Sequence, residues 1–196
     1  MTTKMIRDLV ILSVTRPADA ARQILAYPVP REALWTALFL AAVLNTLFYQ
    51  LSRFLMPGPS PFPGALEAPG IYLGLVAAGL IITIYAIYRA GRMMGGQGSL
   101  DDVMKLMIWL QFLRVIAQIA TLVLAFTIPM LAALMVLAAT IVGLYIMVNF
   151  IDQAHRFGSL GKAIGVLILS GFALAFFVSI LLTFAGGVFL EIPSDV

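Results

Sequence analysis

The chain has 196 residues, 62% of them hydrophobic and 11% charged, with a formal net charge of +3. A soluble domain carries about 25% charged residues, and no soluble fold of this length hides so much apolar surface, so the class is an integral membrane protein. The absence of cysteine excludes disulfides, thiol catalysis and cysteine-bound metal, and the positive balance reads as basic loops on one membrane face, not as a nucleic-acid surface.

Residues 1–32 alternate charge with apolar side chains. Lys4, Arg7, Asp8, Arg16, Asp19, Arg22, Arg31 and Glu32 are interleaved with Ile6, Leu9, Val10, Leu12, Val14, Ile24 and Leu25. This predicts two short amphipathic pieces, broken at Pro17 and ended by Pro28 and Pro30, lying at the membrane interface. The charges inside the apolar run argue against a signal peptide. A first span is expected over 33–51, with Trp35 and Tyr49 near its two interfaces. Residues 52–69 contain Pro57, Pro59, Pro61, Pro63 and Pro69 and read as a non-helical loop outside the bilayer. The second span, 70–88, carries Gly70, Gly74 and Ala78 at intervals of four, a small-residue face that admits another helix, within the chain or across a homo-oligomer.

The stretch 95–118, GGQGSLDDVMKLMIWLQFLRVIAQ, holds most of the unusual polar residues. Gly95, Gly96 and Gly98 make a loop, Ser99 stands at a helix N-cap, and Asp102 three residues on completes an acidic capping box. A third span follows over 103–128. Arg114 lies 13 residues past Asp101, roughly 20 Å along the helix, and an arginine near mid-bilayer costs about 3 kcal/mol on insertion scales. Gln111, Arg114 and Gln118 share one face, expected to point into the bundle.

Pro129 turns the chain into a fourth span, 130–150. The loop IDQAHRFGSLGK precedes a fifth span, 163–190, and a short tail, 191–196, contains Glu191 and Asp195. The fold class is therefore all-α: five transmembrane helices over 33–190, preceded by an interfacial amphipathic segment. With the N-terminus in the cytoplasm, that side holds Lys4, Arg7, Arg16, Arg22, Arg31, Arg89, Arg92, Lys105, Arg156 and Lys162, and the other side only Arg53. The positive-inside rule selects this orientation and puts the C-terminus outside. Counting along the hairpin at Pro129 brings Arg114 to the depth of Tyr145. Its expected partners are then Asn149 and Asp152, one and two turns nearer the cytoplasm, with Gln111 and Gln118 flanking.

Catalytic patterns are missing. His155 is the single histidine, which rules out a two-histidine zinc site and reads as an interfacial surface residue. GGQG lacks the lysine and hydroxyl residue of a phosphate-binding loop, and Ser170 and Ser179 have no histidine near them in sequence. Neither enzymatic activity nor a cofactor or metal is expected. The remaining roles are a membrane-organising or scaffold protein, a small transporter or channel-like protein using the Arg114 face, and an accessory subunit of a larger complex. Transport would require Asn45, Gln111, Arg114, Gln118 and Asn149 to line one polar path.

The segment GGQGSLDDVMKL entering a span, the later NFIDQAHRFGSLGKA and the opening RPADAARQILAYPVPREALW resemble the Yip1 domain family over nearly the whole chain. The resemblance implies five spans with a cytoplasmic N-terminus. Eukaryotic members associate with Rab-type GTPases and with each other. This sequence lacks their long cytosolic N-terminal region, which argues against a GTPase partner and for a bacterial member in the cytoplasmic membrane.

Overall fold

A computed structural model describes residues 3–56 and 68–189. These residues form helices α1 (Thr3–Thr15), α2 (Pro17–Ala26), α3 (Arg31–Leu55), α4 (Pro69–Met93), α5 (Leu100–Thr127), α6 (Pro129–His155) and α7 (Leu160–Phe189), with no strand among them. Five helices, α3 to α7, are long and apolar enough to cross a membrane. The expected tip of the 52–69 loop and the tail with Glu191 and Asp195 lie outside the described residues.

The helix boundaries follow from local chemistry. Pro17 opens α2, Pro69 opens α4 and Pro129 opens α6, positions where the missing N–H costs nothing. Ser99 Oγ accepts from Asp102 N at 3.1 Å, and the Asp102 carboxylate accepts from Ser99 N at 3.2 Å, so the acidic capping box forms as read. The helices are longer than the spans expected from hydropathy. At 28 residues α5 is about 42 Å long, against a hydrocarbon core of about 30 Å, so one or two turns project beyond it.

Burial is concentrated at one end. The core comprises Leu34 and Leu38 of α3, Ile84, Ile87 and Ala90 of α4, Val103, Met104, Leu106, Met107 and Leu110 of α5, Ile146, Phe150, Ile151 and Ala154 of α6, and Ala163 and Val166 of α7. All lie near the loops that carry the basic residues, and this region is called the packed end below. The opposite halves of the helices expose apolar side chains, such as Phe112, Ile116, Ile119, Val123 and Phe126 of α5. Lipid tails solvate such side chains as well as a protein core does, so nothing drives the helices together there.

The two N-terminal helices cap the packed end. Ala20 and Ala21 of α2 are fully buried, and α2 packs against α5 and α6. Trp109 Nε1–H donates to Ser13 Oγ at 2.9 Å, and the Ser13 hydroxyl donates to Leu9 O at 2.7 Å, which ties α1 to α5. Lys105 Nζ donates to Tyr27 O at 3.0 Å, and Arg31 lies 3.7 Å from Asp101. Toward the other end, Tyr49 of α3 stacks on Tyr72 of α4 at 4.1 Å between ring centroids.

Candidate functional site

Two features gather the polar residues. The first is the junction at the packed end, where the GGQG loop meets the end of α6. His155 is fully buried there, which corrects the expectation of a surface residue. A Cβ added at Gly91 would collide with its imidazole ring, 2.5 Å from Cε1, and one at Gly96 would lie 2.7 Å from Cδ2. A Cβ at Gly98 would run into the Ala154 carbonyl. Gly91, Gly96 and Gly98 are thus required by close approach, whereas Gly95, where an added Cβ would meet nothing within 4 Å, is required by its positive φ of 85°. Gln97 N–H donates to His155 O at 2.9 Å, and the His155 ring stacks on Phe157 at 5.3 Å. An imidazole enclosed in this way packs two loops together and is closed to substrate.

Asp152 belongs to the same junction. Its Oδ1 accepts from Ser159 N at 2.9 Å, its Oδ2 accepts from Gln153 Nε2 at 2.9 Å, and its carbonyl accepts from Phe157 N at 3.1 Å. Arg156 takes the left-handed conformation, φ 56°, as the chain leaves α6. The carboxylate is therefore spent on shaping the turn into α7.

The second feature is a groove of about 960 Å³ between α3, α5 and α6, with Val10 and Val14 of α1 also in its lining. Its α5 wall runs from Leu110 to Ala125, about 22 Å along the helix. Most of the lining is apolar. Arg114 and Gln118 project into it from α5, Ser52 and Arg53 from α3, and Thr140 and Gly143 from α6.

The structure does not join Arg114 to its expected partners. Asn149 donates its amide to Tyr145 O at 2.9 Å within its own helix, and Asp152 is committed to the turn. Arg114 has neither a hydrogen bond nor an ion pair among the described residues. It is exposed along the groove instead of buried in the bundle. Gln111 is buried, with its side-chain oxygen unpartnered among the described residues, as is that of Gln118. Of the five residues that a polar path would need, only Arg114 and Gln118 line the groove, and Asn45 bonds to Ala41 O at 2.8 Å. A Cβ on Gly70 or Gly74 would meet no atom within 4 Å, so the small face of α4 is not filled by a neighbouring helix at these positions. Ser99 and Asp102 cap α5 as expected. No cluster of three metal-ligating side chains occurs among the described residues.

Sequence reading missed the His155 cradle. The available signal was the coincidence of a lone histidine with a run of glycines at the end of α4 and in the loop after it, but nothing in one dimension says that segments about 60 residues apart meet.

The family model described as Yip1 domain matches residues 11–182 of this chain. No curated protein and no solved structure matches it.

Proposed function

The chain belongs to the Yip1 domain family, and on that premise we propose that it is a non-enzymatic membrane-organising or scaffold protein of a bacterial cytoplasmic membrane, acting through helix packing and partners. The observation that carries this reading is the contrast between the two ends of the bundle. One end is tightly packed and holds the helices in fixed positions. The other leaves a lateral groove and the Gly70–Gly74 face of α4 open to whatever lies beside it in the bilayer. The apolar lining of the groove suits a hydrophobic neighbour better than a polar solute crossing the membrane, which sets transport second.

Two measurements test the proposal. Gly74→Leu adds bulk where nothing is in contact, so the stability of the monomer in detergent, read from thermal melting, should stay within about 0.5 kcal/mol of the parent's. Any partner or second copy held on that face should be lost on size-exclusion chromatography. Unchanged complexes would remove this face from the proposal, and the absence of any stoichiometric complex after mild cross-linking in membranes would remove the scaffold role itself.

The orientation is also a proposal. The basic residues of the packed end, including Arg31, Arg89, Arg92, Lys105, Arg156 and Lys162, belong on the cytoplasmic side by the positive-inside rule. A cysteine placed at position 97 in this cysteine-free chain should be closed to membrane-impermeant maleimide in intact cells, and one at position 60 should be open to it. The reverse pattern would invert the topology.

A further inference from the structure

We propose that the groove is a binding site for an anionic phospholipid, with the lipid phosphate on Arg114 and one acyl chain laid between α5 and α6. This site does not depend on the scaffold reading, because it needs no protein partner.

A guanidinium on a membrane-spanning helix must be hydrated, paired or able to reach the interface. Among the described residues Arg114 has no partner, and the two expected from the hairpin, Asn149 and Asp152, are used elsewhere. On this proposal its counter-charge is an anion from outside the chain.

The depth of Arg114 says where that anion sits. Trp109 is tied to Ser13 of α1, the helix that caps the packed end, and tryptophan marks the boundary between headgroups and hydrocarbon. Arg114 is five residues further into the bilayer, about 7.5 Å along α5. A long arginine side chain spans that distance by snorkelling toward the interface. The anion it meets there is the phosphate layer of the leaflet at the packed end. A planar guanidinium binds phosphate through paired hydrogen bonds.

The rest of the groove fits the chain attached to such a headgroup. From Arg114 to Ala125 the α5 wall extends about 16 Å, close to half the thickness of a ~30 Å hydrocarbon core. Along this length the walls include Ala117, Ala120, Ala138, Ala139 and Gly143, residues too small to fill the space themselves. A Cβ added at Gly143 would meet nothing within 4 Å. A second membrane-crossing helix in the same groove would have to pass Val10 and Val14 of α1 at the packed end. It would also have to bring a carboxylate into the bilayer at its own desolvation cost. A lipid does neither, since its headgroup stays at the interface.

The test uses the full chain in detergent micelles, with phosphatidylglycerol, phosphatidylcholine or inorganic phosphate added, and reads lipid retention by native mass spectrometry together with the melting temperature. Phosphatidylglycerol should be retained about tenfold better than phosphatidylcholine, because both offer a phosphate to Arg114 but the choline ammonium of the latter already neutralises it, leaving no net charge to balance the guanidinium. Arg114→Gln should abolish that preference, and Arg114→Lys should keep part of it. Gly143→Trp fills the groove while leaving Arg114 in place and should reduce retention of both lipids. Gly79→Trp, at another position with no atom near its Cβ but outside the groove, should leave retention unchanged. Because the glycine variants leave the arginine untouched, they decide the matter even if Arg114→Gln fails to fold. Equal retention of the two lipids, a preference that survives Arg114→Gln, a Gly143→Trp protein that retains lipid normally, or an equal melting shift from inorganic phosphate would each overturn the proposal. So would a dimer that replaces bound lipid and is lost in Arg114→Gln.

Discussion

Gly91→Ala is expected to lower the stability of the packed end by about 3 kcal/mol or more, the upper part of the range for overpacking a filled interior. The added methyl group would overlap the imidazole of His155, which is fully buried. Because the obstacle is one side chain, the effect should disappear in a His155→Ala background. There the methyl group occupies space that the ring has left, and adding Gly91→Ala should cost less than about 0.5 kcal/mol. Gly98→Ala is the matching control. Its new Cβ would meet the carbonyl of Ala154, which is backbone and cannot be removed by substitution, so His155→Ala should leave that defect in place. Thermal melting in a single detergent compares the five variants with the parent. Failure of His155→Ala to rescue Gly91→Ala would mean that the close approach of α4 to the end of α6 is not what requires the glycine.

Asp152→Ala should cost about 1.5–3 kcal/mol, the range for a hydrogen bond to a charged group. The lost contacts are those to Ser159 N and Gln153 Nε2, which bend the chain from α6 into α7. This differs in kind from the loss of a counter-ion. Were Asp152 the partner of Arg114, removing it would strand a charge, and Arg114→Gln would relieve the damage. With Asp152 as a turn residue, the two substitutions act at separate sites and their effects should add within about 0.5 kcal/mol. A strong positive coupling between them would restore the ion pair that the geometry argues against. Hydrogen exchange should also rise at residues 156–163 in Asp152→Ala and stay at the parent level around Arg114.

The amino-acid sequence by itself determined the class of the protein and its spans. Apolar runs of about 20 residues have one stable environment, and their ends are written locally: Pro17, Pro69 and Pro129 start helices, and Ser99 with Asp102 caps α5. Each of these features depends on residues within a turn or two of one another, so each was readable in one dimension. The family resemblance lay in the same local segments, and the matched range of 11–182 agrees with it.

The partners of the polar residues were decided only by the tertiary structure. Arg114, Asn149 and Asp152 lie at nearby depths on two helices joined by a hairpin, and depth alone suggested one cluster. Depth does not fix rotation about the helix axis. Asn149 satisfies its amide on its own helix, the Asp152 carboxylate accepts from the Ser159 N–H in the following turn, and Arg114 faces the groove. His155 was misread for a related reason. Its burial comes from Gly91, Gly96 and Gly98, segments distant in sequence whose missing side chains make room for the ring. A glycine's sequence reports only the freedom of its own backbone, whereas the volume it leaves empty belongs to whichever neighbour the fold brings against it.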